Sequence, residues 1–149
     1  MKRFFGLFFA LVFLALADPL TPAPALAWSD GYATATVTVA TDNQTSAAVS
    51  IPRGADWFSI YVPTITSSTV SVKVSHDGGT TYDDLFCLNN GTNSVLWSSA
   101  AGTGGMYLQP PPDCRISFYN KLKVYCGSGQ AADRNFVVIW KKDPTKSSQ

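Results

Sequence analysis

Thr69-Val70-Ser71-Val72-Lys73-Val74-Ser75 is the stretch on which the fold turns. Successive residues of a β-strand point to opposite faces, so this alternation predicts a half-buried strand. Val70, Val72 and Val74 then face a core, while Ser71, Lys73 and Ser75 face water. The same two-residue period appears on either side. Ala33 to Ala40 (ATATVTVA) alternates Thr with Ala and Val. Trp57 to Val62 places Phe58, Ile60 and Val62 on one face and Trp57, Ser59 and Tyr61 on the other. Ser46 to Ile51 reads as extended, stopped by Pro52-Arg53-Gly54. Asp84 to Leu88, Ser94 to Trp97 and Met106 to Leu108 are weaker strands between Asn- and Gly-rich turns. Phe136 to Trp140 is apolar on both faces, which predicts a central strand or one covered by another subunit.

No window carries the 3, 4, 7 spacing of an amphipathic helix. Each of the ten acidic residues is Asp, and Glu, a good helix former, is absent. Roughly ten short strands at about ten-residue intervals predict an all-β, antiparallel β-sandwich of jelly-roll type. A length of 149 residues suits one domain.

The first 27 residues read as an address. Met1-Lys2-Arg3 is positive, and Phe4 to Ala17 carries no charge. That run is shorter than the roughly 20 residues a spanning helix needs, which argues against the alternative of an uncleaved anchor. Asp18 and the prolines at 19, 22 and 24 end it, and Ala25-Leu26-Ala27 fits signal peptidase. The expected organisation is a signal peptide at 1–27, a β-sandwich domain at 28–141 and a polar tail at 142–149. After cleavage nine basic residues face nine acidic ones. A neutral product has no field to attract nucleic acid and no segment for membrane insertion. The predicted location is secreted, periplasmic or at the cell surface.

Ser75-His76-Asp77-Gly78-Gly79-Thr80-Thr81-Tyr82 predicts a locked hairpin. Gly78 and Gly79 permit positive φ, Asp77 accepts from backbone N–H groups, Thr81 adds a bond, and Tyr82 lies across the turn. The spacing resembles the Asp-box, Ser-x-Asp-x-Gly-x-Thr-aromatic, of sialidase-like propellers, where it is a structural turn. One copy in a short chain implies the turn and not a glycosidase. Asp77, Asp83 and Asp84 are the alternative, a Ca²⁺ cluster, but their spacing matches no EF-hand loop. No cofactor or metal is expected.

Export places Cys87, Cys114 and Cys126 in an oxidising compartment, so one bridge and one free thiol are expected. Folding Cys114 to Cys126 into a hairpin about Asn120 sets Phe118 opposite Leu122, Ile116 opposite Val124 and Cys114 opposite Cys126. That register predicts a Cys114–Cys126 cross-strand disulfide. If Cys114 instead lies in a loop after the prolines at 110–112, Cys87 pairs with Cys126.

The chain offers little for catalysis. His76 is the single histidine and sits in a glycine turn. There is no Walker loop, dinucleotide fingerprint, HExxH or Cys-x-x-Cys. The expectation is a non-enzyme. Trp57, Tyr61, Tyr125 and Trp140 are the candidate binding surface, either as one open platform for sugars or a partner, or as a second core face. Asn43-Gln-Thr45 and Asn90-Gly-Thr92 are formal glycosylation sequons.

Taken in order, ATVTVA, SAAVSI, Tyr61-Val62-Pro63, the VSHDGGTTYDDL hairpin, LKVYCGSG, Gln130-Ala-Ala-Asp-Arg134 and the strand from Phe136 to Trp140 resemble small β-sandwich structural proteins of tailed bacteriophages and prophages. The resemblance implies a virion-associated or structural module with no catalytic residues, here behind a leader. It implies partners that are further copies of the chain or an envelope or virion protein. A secreted carbohydrate-binding module is the alternative.

Overall fold

The structure, a computed structural model, describes residues 28–29, 31–66, 68–89, 93–96, 98–101, 104–111 and 114–142. The expected leader, residues 143–149 of the tail and the second sequon lie outside them. In chain order the strands are β1 (Tyr32–Val39), β2 (Val49–Ser50), β3 (Ala55–Val62), β4 (Ser68–Ser75), β5 (Asp83–Asp84), β6 (Phe86–Asn89), β7 (Asn93–Leu96), β8 (Ser98–Ala101), β9 (Met106–Leu108), β10 (Lys121–Cys126) and β11 (Arg134–Lys142). Among the described residues, no helix is long and apolar enough to cross a membrane.

One sheet runs β1-β11-β3-β9 and the second β2-β10-β4-β5, with every pairing antiparallel. The far edge of β4 is shared: β8 pairs with its first half and β5 with its second. β6 and β7 form a separate hairpin. Without β6 to β8, which intervene between β5 and β9, eight strands remain. The first sheet takes the first, eighth, third and sixth of them, and the second sheet the second, seventh, fourth and fifth. This is a jelly-roll order, so the expected all-β sandwich is what forms.

Alternation builds the core. β1 contributes Val37 and Val39, β3 Phe58, Ile60 and Val62, and β11 Phe136, Val138 and Trp140. The second sheet opposes them with Val70, Val72 and Val74 from β4 and Leu122, Val124 and Cys126 from β10. Two serines depart from the simple pattern. Ser75 is 1% exposed because its hydroxyl is held in the following turn, and Ser71 is buried opposite Tyr125. β2 is shorter than expected because Ser46 already satisfies Val124. Its N–H donates to the Val124 carbonyl at 3.0 Å, and its Oγ accepts from the Val124 N–H at 3.0 Å. β11 outruns the apolar stretch and absorbs Lys141 and Lys142, the latter assigned to the tail from sequence. Their ammonium groups lie over the Tyr32 and Trp28 rings.

The Cys114–Cys126 expectation is overturned: the bridge joins Cys87 to Cys114, and Cys126 is a buried free thiol. The hairpin it rested on cannot form, because β10 already has β4 on one side and β2 on the other. Residues 114–120 therefore run as a loop, with the Ile116 N–H donating to the Asp56 carbonyl and Tyr119 turning back onto Ile116. Cys114 and Ile116 do face the core, as the alternation suggested, whereas Phe118 is 80% exposed. Burial pushes the Cys126 thiol up to about 11.

A non-reduced digest should yield a Cys87–Cys114 cross-linked peptide. Thiol reagents should label one cysteine only after denaturation, and that label should map to Cys126. The bridge closes a separation of 27 residues, so Cys87→Ala should cost about 3 kcal/mol in a denaturant melt.

Candidate functional site

The two sheets leave two outer faces, and their chemistry differs. On the second sheet Lys73, Lys123 and Tyr125 share the outward side with Asp84. The Lys73 ammonium donates to Asp84 Oδ1 at 2.8 Å and lies 5.1 Å from the Tyr125 ring centroid. Lys123 lies 4.0 Å from the Tyr82 ring. This face is charged and internally paired.

The outer face of the first sheet is ordered by register into rows. Tyr32, Lys141 and Trp57 form one row, Thr34, Ile139 and Ser59 the next, and Thr36, Val137, Tyr61 and Tyr107 a third. Tyr61 and Tyr107 meet at 5.3 Å between ring centroids, and Tyr107 is 63% exposed. Beside them a groove of about 490 Å³ is lined by Tyr32, Trp57, Ser59, Gln109, Ile139 and Lys141, among others. The Arg115 guanidinium sits 4.2 Å from the Trp57 ring centroid, and Lys141 lies 5.8 Å from that of Tyr32.

The four-residue platform read from the sequence is therefore divided. Trp57 and Tyr61 share the outer face of the first sheet, and Tyr125 lies on the outer face of the second. Trp140 is completely buried, its ring 6.1 Å from Phe58. Parity along a strand tells which residues share a side; it does not tell which side is the core when both are apolar. Tyr32, Tyr107 and Gln109 complete the exposed surface and were not singled out from sequence. Tyr107 sits in a three-residue strand beside prolines and gives almost no periodic signal.

The Ser75–Tyr82 segment forms the lock that its residues predict. Asp77 accepts from the Ser75 hydroxyl at 2.6 Å, the Thr80 N–H at 3.0 Å, and the Thr81 N–H and hydroxyl at 3.0 and 2.7 Å. Gly78 and Gly79 have φ of 80° and 101°. A Cβ on Gly79 would meet the Tyr82 hydroxyl at 2.8 Å, which puts Tyr82 across the turn. Asn120 ties the turn to the 114–120 loop, donating to the His76 carbonyl at 2.8 Å and accepting from the Gly78 N–H at 3.2 Å. The Ser75 hydroxyl, more than any other bond, then those of Thr81 and Thr80, hold the Asp77 carboxyl well below the usual range. His76 is exposed. Asp84 is committed to Lys73, and among the described residues no group of three His, Cys or Asp side chains is placed to hold a metal ion.

The Gln130–Arg134 motif is a second lock. Gln130 is 1% exposed; its Oε1 accepts from the Thr66 N–H and its Nε2 donates to the Ser128 carbonyl, both at 3.0 Å. Asp133 accepts from the N–H and hydroxyl of Thr41 at 2.8 and 2.9 Å, contacts that hold its carboxyl below the usual carboxylate range. Together they fasten the exit of β1 to the entrance of β11.

No family model matches the chain, and no curated protein matches it. Among solved structures, the chain is similar to the CBM22-1–GH10 modules of the Clostridium thermocellum N-terminal endo-1,4-β-D-xylanase 10B, complexed with xylohexaose. The TM-score is 0.31 at 15% identity, over 80% of this chain and 28% of that one. At that overlap the likeness transfers neither fold nor function.

Trp140→Ala should cost about 3–5 kcal/mol, as expected for a buried aromatic, and Trp57→Ala distinctly less. Paired chemical melts would measure both. A lowered carboxyl stabilises above its unfolded value, near 3.9, and that stabilisation is lost as pH falls through the folded value. The gap in Tm between wild type and Asp77→Asn should therefore be widest near neutrality and narrow progressively below about pH 4. A gap unchanged at about pH 2 would contradict the lock.

Proposed function

We propose that this chain is an exported, non-enzymatic assembly subunit that buries the outer face of the β1-β11-β3-β9 sheet against a partner. The observation that carries this reading is the contrast between the two outer faces. Lysines and an ion pair cover one. The other presents Ile139, Val137, Tyr61 and Tyr107 in adjoining rows with threonines at their border. A half-buried aliphatic row continuous with an exposed aromatic pair is the composition of an interface core. The Cys87–Cys114 bridge supports passage through an oxidising compartment, as the leader-like residues 1–27 do. The resemblance to phage and prophage β-sandwich proteins, together with a jelly-roll order, supports a role in a shell or surface lattice. Fold alone does not fix that role.

The groove between Tyr32 and Trp57 favours a second reading, glycan binding. Ser59, Gln109 and Lys141 supply hydrogen-bonding groups and the rings supply stacking surface. Arg115 and Lys141 already lie over those two rings, which leaves less free ring face for a sugar and ranks assembly first.

Size-exclusion chromatography with light scattering separates the readings. Assembly predicts an oligomer that Tyr107→Asp weakens roughly tenfold or more, while Lys123→Glu on the opposite face leaves it unchanged. A strict monomer whose tryptophan fluorescence shifts on adding a polysaccharide would replace assembly with glycan binding.

A further inference from the structure

We infer that a second copy of the chain docks on the open edge of β1, continuing the first sheet across a two-fold axis. The inference rests on the assembly reading and adds to the buried face a second contact, made by a further copy at the edge of the same sheet.

The parity of β1 follows from two observations. The Lys142 N–H donates to the Gly31 carbonyl, so Gly31 and, by alternation, residues 33, 35, 37 and 39 direct their backbone groups towards β11. Residues 32, 34, 36 and 38 must then direct theirs away from it. Tyr32 shows this directly: its N–H and C=O exchange bonds with Ser29 at 2.8 and 2.7 Å, on the side opposite β11. At the other end the Ala40 carbonyl accepts from the Asn43 N–H at 3.0 Å. Both ends of the edge are closed by the chain itself. Between them Thr34, Thr36 and Thr38 each present one N–H and one C=O that have no backbone partner among the described residues.

This window is self-complementary. In an antiparallel pair centred on Thr36, Thr36 faces Thr36 of the second copy, and Thr34 faces its Thr38. All three are then hydrogen-bonded positions, and six backbone bonds use every open group on both strands. The outer face gains a threonine row, and on the inner side Ala35 meets Val37, small against larger. Residues 32–39 carry no charge and no proline, so nothing repels an identical strand. Protein edges are ordinarily blunted by shortness, charge or proline. The other outer strands follow that rule: β9 has three residues and runs into Pro110 and Pro111, β2 and β5 have two each, and β8 has four. β1 has eight and none of these devices.

The test is Thr36→Pro in the purified protein. The N–H it removes points away from β11, so proline is compatible with the monomer fold at this edge position. Light scattering should show Thr36→Pro at no more than about half the mass of wild type, with matching far-ultraviolet circular dichroism. In wild type the amides of Thr34, Thr36 and Thr38 should exchange slowly at high concentration and quickly on dilution. That measurement stands even if the proline variant fails to fold. Fast exchange of these three amides in a concentrated sample overturns the inference. So does an oligomer that survives Thr36→Pro but dissolves on Tyr107→Asp, which would leave the assembly reading intact. A monomer at every concentration overturns both.

Discussion

The backbone ladder of β11 organises the molecule. It pairs with β1 along all eight residues of that strand and with β3 on its other side, so the last strand sits between the first and third. Nothing local can produce this arrangement: β1 and β11 come from opposite ends of the described chain and must meet before either is satisfied. Loop-closure entropy opposes such pairings until the apolar faces are buried together. The core supplies that burial, since Phe136, Val138 and Trp140 reach the same interior as Val37, Ile60 and the valines of β4. One face of β11 is thereby committed to the core, and its other face becomes the floor of the exposed surface that includes Ile139 and Val137.

Two polar devices hold the ladder in register at little cost in exposed charge. Gln130 spends its whole side chain on backbone groups of the 66 and 128 loops, and Asp133 caps the end of β1 through Thr41. Side chains satisfied in this way, Gln130 buried and Asp133 exposed, specify a single arrangement, because a one-residue slip leaves each donor and acceptor unpaired. Asp77 does the same for the β4 turn, with four groups converging on one carboxylate. These features define a scaffold whose rigidity comes from turns and whose open chemistry lies on one face and one edge.

Much of the fold was legible because alternation is a physical constraint on a half-buried strand. β1, β3, β4 and β9 fall within a residue or two of their expected bounds, and the inward positions of β3 and β4 agree. Reading failed where the needed information is non-local. Cys114, Ile116 and Phe118 alternate like a strand, yet β10 has no free edge to receive them, so the disulfide goes to Cys87 instead. Of the four candidate surface aromatics, Trp140 lies inside and Tyr125 on the far sheet, because parity orders one strand at a time and cannot assign strands to sheets. The groove residues Gln109 and Lys141 gave no sequence signal; only the pairing of β11 with β3 and β1 brings Lys141 beside Trp57 and Tyr32.

The exposed face and the open edge both follow from the β1–β11 register. Nuclear Overhauser effects between α-protons report it directly, since they are strong only across non-hydrogen-bonded antiparallel pairs. Strong cross-peaks should link Thr34 with Ile139 and Thr36 with Val137, and be weak between Ala35 and Val138. Cross-peaks displaced by one residue, or β1 α-protons contacting a strand other than β11, would contradict the account.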